Sequence, residues 1–222
     1  GIRDQPQSRG LGDVYKRQVV ALYSTFLNRA YDQLLMDVAL HGLGVTIVLD
    51  RAGVTGTDGP SHNGMWDVAM AGIIPSLQLA APRDQRRLEQ ALNRAVTVDD
   101  APTIIRYSKE KLPDDIVEVA HRGEGVSRVD VISADRDART LIVGYGQFVG
   151  LAVQTAELLR AQGVAATVVD PLWALPVSPE LTALATEFDH VITIEDNLVE
   201  GGLGQRLRSR LAEEDITTLV DC

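Results

Sequence analysis

From residue 19 onward, short apolar runs alternate with segments whose apolar residues recur every three or four positions. A chain that switches between these periods lays down strands and helices in turn, and that alternation folds as parallel sheets covered by helices on both faces. Runs at 19–23, 45–49, 77–80 and 103–107 predict strands. The run Val45-Thr46-Ile47-Val48-Leu49 is almost wholly apolar, as a strand covered on both faces must be. Between the first two runs, Phe26, Ala30, Leu34 and Val38 predict one buried helical stripe, with Ser24 as its cap and Gly42 and Gly44 ending it. A second helix is expected over 84–96, with Leu88, Ala91, Leu92 and Ala95 inward.

Residues 108–127 lose the pattern, with Pro113, mixed charges and two glycines. The alternation then restarts, with strands expected at 140–144, 165–170, 190–195 and 216–220 and helices at 147–162, 179–188 and 204–213. The fold class is therefore α/β: two small three-layer units with largely parallel sheets, at 19–110 and 128–222, joined by a linker at 111–127. Residues 1–18 have no apolar periodicity, and the stretch from Asp13 to Gln18 looks like the translated end of a sequencing adapter. They are set aside as an artefactual leader, the alternative being a natural flexible one.

Composition narrows function. The net charge of −10 argues against a non-specific nucleic-acid binder, which needs a cationic face to displace counterions. The apolar runs fall far short of the ~20 residues that span a bilayer, and no secretory signal opens the chain. One cysteine, Cys222, forms no internal disulfide and no metal cluster, which suits a reducing, cytoplasmic setting. The four histidines are far apart, so no metal site is expected.

In an open parallel sheet, ligands bind beyond the carboxyl ends of the strands. That edge should gather Tyr23, Asp50-Arg51 and Arg106-Tyr107. Two guanidiniums there suit a phosphate or a carboxylate, each offering a planar fork of donors. The alternative is that each arginine pairs with a nearby surface acid. The loop 50–64 carries four glycines together with Asp58 and His62, both able to move protons if positioned. A loop so long is functional or disordered; His62 alone reads as a solvated loop histidine, and its company with Asp58 and Arg51 at a strand edge is what points to function. Two glycine clusters also lie between a strand and a helix. Gly144 to Gly150 resembles a dinucleotide fingerprint with its third glycine one residue late. Gly201-Gly202-Leu203-Gly204 could offer free N–H groups to an anion, or could be a tight connection.

Taken together, the residues from Val19 onward resemble the 1-deoxy-D-xylulose-5-phosphate synthase family. The resemblance rests on the run from Tyr23 to Gln33, on Asp50-Arg51-Ala52-Gly53 through Asp58-Gly59-Pro60-Ser61-His62-Asn63-Gly64, and on Arg106-Tyr107. The Ile194-Glu195-Asp196-Asn197 run with Gly201 to Gly204 looks like the family's third domain. The resemblance implies a transketolase-like fold: most of a pyrimidine-binding domain, then most of a transketolase C-terminal domain. It implies a homodimeric thiamine-diphosphate and magnesium enzyme joining pyruvate to D-glyceraldehyde 3-phosphate. Its product feeds isoprenoid and thiamine biosynthesis. On matching positions Tyr23, Arg51 and Arg106 would hold the aldehyde's phosphate. Phe26 would pack on the cofactor's aminopyrimidine, Arg29 would order the same pocket, and Asp58 and His62 would line the substrate channel, with His62 a proton shuttle.

The family's diphosphate- and magnesium-binding domain has no counterpart here, so the chain is expected to be a fragment, inactive alone. Ser108-Lys109-Glu110 also replaces the family's proline-basic-glycine continuation. Rivals are another transketolase-like enzyme such as a ketoacid dehydrogenase β subunit, a nucleotide-binding module resting on Gly144 to Gly150, and a non-catalytic dimerisation module.

Overall fold

The computed structural model describes residues 17–222. The leader reading falls on residues outside that range, apart from Arg17 and Gln18. Strand β1 (Gln18–Tyr23) begins one residue inside the stretch set aside, and Arg17 donates to the Val98 carbonyl at 2.7 Å.

Two mixed, mostly parallel sheets form the frame. In the first, β1, β2 (Val45–Asp50), β4 (Thr103–Arg106) and β3 (Gln78–Ala80) lie side by side and parallel. Its order runs β1-β2-β4-β3-β9. The last strand, β9 (Trp173–Leu175), comes from the second half of the chain and pairs antiparallel to β3. The second sheet runs β11-β10-β7-β8-β6-β5. Here β7 (Thr140–Gly144), β8 (Ala166–Asp170), β10 (His190–Ile194) and β11 (Leu219–Asp221) are parallel. Antiparallel β6 (Val129–Ala134) and β5 (Ala120–Arg122) complete it.

Two features depart from a pair of independent units. The expected linker contains β5, so part of it is sheet rather than connector. And β9 crosses over to close the first sheet, while one apolar cluster contains Leu49 and Ile104 from the first half and Leu141, Val191 and Leu207 from the second. The halves share a core.

A buried ionic cluster also ties them. Arg83 is wholly buried; it donates to the Ile116 carbonyl and to Asp130 at 2.8 Å, and it pairs with Asp170 and Glu118. It precedes α3 (Gln85–Ala95), whose cap Asp84 accepts from the Arg87 N–H at 2.8 Å and from the Ile116 N–H at 3.1 Å. The inward face of α3 keeps Leu88, Ala91 and Ala95 as expected but takes in Arg87 in place of Leu92. Arg87 is buried against Asp130 and Glu118, and Leu92 is 38% exposed.

The first helix corrects two expectations. It runs as α1 (Leu27–Asp32) and continues as a π-helical segment, Gln33–Ala39. Phe26 lies ahead of α1, in a 3-10 turn at Ser24–Phe26, and so does not share the helix's buried face. Leu27, Leu34 and Val38 enter the core, while Phe26 stays out, 37% exposed. Ser24 does not cap this helix; its hydroxyl donates to Asp67 at 3.0 Å. The remaining helices are α2 (Asp67–Ala71), α4 (Val149–Ala161), α5 (Pro179–Ala185) and α6 (Leu203–Glu213).

Candidate active site

The carboxyl ends of β1, β2 and β4 meet at one edge. Tyr23 is in register with Asp50, and Leu49 with Arg106. Past Asp50 the chain turns sharply: Arg51 adopts a left-handed φ of +58°, and the Ala52 N–H bonds the Tyr107 carbonyl at 2.9 Å. A non-glycine residue in that region carries strain that its surroundings must hold. The surroundings are an ion pair with Asp50 and the Tyr23 ring, over which the guanidinium lies 4.1 Å from the centroid.

Phe26, freed from the core, extends this row. It stacks on Tyr23 with centroids 5.9 Å apart and planes 13° from parallel. His62 meets the Phe26 ring edge-on at 5.9 Å, and Arg29 lies 5.4 Å from the same centroid. Tyr23, Phe26, Arg29, Arg51 and His62 thus form one continuous aromatic and cationic surface. His62 Nδ1 shares a hydrogen bond with Ser61 Oγ at 3.1 Å, and Thr25 Oγ1 donates to the Ser61 carbonyl at 2.9 Å.

The glycine-rich loop is ordered by its own polar groups. Gly53 and Gly64 exchange backbone bonds at 3.1 and 2.7 Å, and Asn63 Oδ1 accepts from both Thr55 N and Thr55 Oγ1 at 3.0 Å. Asp58 is tied to Lys109, whose ammonium reaches both carboxylate oxygens at 2.9 Å. That bond holds the Asp58 carboxyl below its usual range. Lys109 belongs to the run that departs from the family pattern, and here it pins the loop.

Arg106 is placed differently from the other two phosphate candidates. It is 5% exposed and gripped by two carboxylates: Nε donates to Asp67 Oδ2 at 2.8 Å, and both terminal nitrogens lie 3.3 Å from Asp196 Oδ1. These anions raise its pKa further despite burial. The alternative weighed from sequence, an arginine paired with an acid, therefore holds for Arg51 with Asp50 and for Arg106 with Asp67 and Asp196. The Arg106 pairs are buried instead of on the surface.

Pattern did not single out Asp67, Asp196, Lys109 or Gln147. Asp67 is wholly buried and links the Ser24 hydroxyl to Arg106. Asp196 crosses from the second half of the chain and also accepts from Gln147 Nε2 at 3.3 Å. Its path explains Gly53, which has φ +78°: a Cβ there would sit 1.5 Å from Asp196 Oδ2. The nearest sequence signal was that Asp196 lies in the run resembling the family's third domain.

The two other glycine clusters resolve as packing. The anion at the start of α6 is the chain's own Glu195, which accepts from the Leu203 and Gly204 N–H groups at 2.9 and 2.6 Å. At Gly144 a Cβ would lie 2.8 Å from the Val149 Cα, so that glycine lets α4 pack closely on its strand.

Comparison with known proteins gives the same architecture. Residues 12–115 match the transketolase pyrimidine binding domain, and residues 130–221 the transketolase C-terminal domain. A solved split-gene transketolase, an inactive β4 tetramer, superimposes with a TM-score of 0.77 at 26% identity, over 91% of this chain and 65% of that one. A Pichia stipitis transketolase shares the fold at TM-score 0.69 and 21% identity, over 80% of this chain and 26% of that one. The chain is of the transketolase type. Among curated relatives, the 1-deoxy-D-xylulose-5-phosphate synthase of Clavibacter sepedonicus is 52% identical over 202 residues, covering 91% of this chain and 31% of the relative. That of Mycobacterium avium is 48% identical over 222 residues, covering 97% and 35%. The chain carries the two transketolase domains in sequence, is similar to these synthases over most of its own length and spans about a third of theirs.

Among the described residues no group of three or more His, Cys, Asp or Glu is placed to hold a metal ion. The residues present bear on one part of thiamine diphosphate: Phe26 is 37% exposed, stacks on Tyr23 and carries the Arg29 guanidinium over its ring, so an aromatic side chain is at hand for a flat aminopyrimidine.

Proposed function

We propose that this chain supplies the pyrimidine-binding and C-terminal parts of a synthase that joins pyruvate to D-glyceraldehyde 3-phosphate. The products are 1-deoxy-D-xylulose 5-phosphate and carbon dioxide. The observation that carries the reading is the surface at the carboxyl edge of β1 and β2, where the Arg51 guanidinium lies on Tyr23 beside Phe26 and His62. It offers a permanent cation and a phenol to a phosphate, and an aromatic face to a cofactor ring, within one span. Arg106 adds a second permanent cation at the end of the strand next to β2.

Each residue then has a task. Tyr23, Arg51 and Arg106 hold the phosphate of the aldehyde. Phe26 packs on the aminopyrimidine, and Arg29 fixes the Phe26 ring from its side. His62, held by Ser61, moves a proton at the reacting carbonyl oxygen. Asp58, tied to Lys109, lines the substrate channel. Thiamine diphosphate, when bound, supplies the electron sink for decarboxylating pyruvate. Its diphosphate and Mg2+ ligands are assigned to the part of the relatives that this chain does not match. The assembly is a cytoplasmic homodimer whose partners are small molecules, not nucleic acid. No helix among the described residues is long and apolar enough to cross a membrane.

The test is a chimera in which residues 19–222 replace the matching third of the Clavibacter sepedonicus relative. Formation of 1-deoxy-D-xylulose 5-phosphate that requires both substrates supports the reading, together with no turnover by the chain alone. A soluble chimera that decarboxylates pyruvate but ignores glyceraldehyde 3-phosphate overturns it.

A further inference from the structure

Resting on the phosphate-site reading above, the Arg106 cluster carries one step more. A guanidinium grips an oxyanion through its fork of N–H groups. At Arg106 three of the five N–H groups are engaged: Nε to Asp67, and one on each terminal nitrogen to Asp196. Two carboxylates around one guanidinium leave the cluster at a formal −1, which repels an incoming phosphate.

The two carboxylates are not held alike. Asp67 is wholly buried, contacts Arg106 at 2.8 Å, and is braced by Ser24 and by the Val68 N–H. Asp196 makes only long contacts, 3.3 Å to Arg106 and 3.3 Å to Gln147, and it enters from the second half of the chain through the gap left by Gly53. Between them, Asp196 is the weaker-held anion on the side of the guanidinium that a phosphate would take.

We infer that Asp196 sets phosphate affinity: it occupies the terminal nitrogens of Arg106 in the ligand-free protein, and the substrate's phosphate displaces it. Asp67 stays in place and keeps the guanidinium oriented. The arrangement favours a dianion, which outcompetes a resident carboxylate where a singly charged group does not. It also couples phosphate binding to the seam between the halves of the chain, because Asp196 must withdraw from Gly53 to yield.

The test is titration of the full 222-residue chain with inorganic phosphate, followed by NMR of the arginine Nε–H signals. Asp196→Asn keeps size and polarity but removes the charge, and is expected to tighten phosphate binding about tenfold, the effect of losing one charge-assisted competitor. Asp196→Ala, a second way to remove the carboxylate, should tighten it too. In all forms Arg51→Ala and Arg106→Ala should weaken it. If Arg106→Ala weakens binding while both Asp196 variants leave it unchanged or poorer, the phosphate site stands and the competition is wrong. If phosphate binds no form, or binds without regard to Arg51 and Arg106, the site reading fails and the inference with it.

Discussion

Gly53→Ala examines the seam directly. The residue has φ +78°, a region that costs an alanine about 1–2 kcal/mol. The new Cβ would lie 1.5 Å from Asp196 Oδ2 and 2.3 Å from its Cγ, far inside contact distance, so Asp196 must leave. Its departure removes one of the two anions on a buried arginine. Stripping a buried charge of its partner costs about 3–5 kcal/mol, but Asp67 remains and the Asp196 contacts are long, so about 1–2 kcal/mol is the fitting share. The sum is about 2–4 kcal/mol, or a fall in Tm of roughly 5–15 °C for a chain of this size. Thermal unfolding followed by circular dichroism reads it. In an Asp196→Ala background the clash is gone, and Gly53→Ala should cost only the backbone share of about 1–2 kcal/mol. Equal costs in both backgrounds would refute the claim that Asp196 fills the space that Gly53 leaves.

Two further outcomes follow from the ionic cluster between the halves. Arg83→Leu should destabilise the chain by about 3–5 kcal/mol in urea, because Asp170 would be left buried without an ion-pair partner while Asp130 keeps Arg87 and Arg128; a loss below about 1 kcal/mol would show that the cluster contributes little. Glu118 is held at about 2, chiefly by its hydrogen bond from Arg86 with Arg87 adding to it, against an ordinary 4.5. Its folded pKa lies below its unfolded one, so its contribution is whole above about pH 4.5 and is lost as pH falls towards 2. Glu118→Gln should therefore flatten the acid limb of the stability curve, and an unchanged limb would contradict the assignment.

How far the sequence could be read depended on whether a residue's partners were local. The run from Val45 to Leu49 announced a covered strand because five successive residues had to suit a buried sheet. The strand-edge rule then placed Tyr23, Arg51 and Arg106 at the ends of adjacent strands, where the structure has them. Phe26 was misassigned to the core stripe because it lies in a 3-10 turn ahead of the helix, Ser24–Phe26, and no composition signal marks where that turn gives way to the helix. Leu92 and Arg87 exchanged faces because the acids that make burying Arg87 tolerable come from Glu118 and Asp130, beyond the helix itself. β9 joins the first sheet, and Asp196 reaches Arg106 from ninety positions away. Such long-range choices leave only the small trace of a glycine where a side chain would collide.

The central claim is that Tyr23, Arg51 and Arg106 act together on one phosphate. It is tested most directly by steady-state kinetics of the chimera carrying Arg51→Ala or Arg106→Ala. The account predicts that either change weakens binding of glyceraldehyde 3-phosphate by about 2–5 kcal/mol, read as a raised KM for the aldehyde with that for pyruvate unmoved. A defect confined to pyruvate, or no change in the aldehyde's KM, would contradict it.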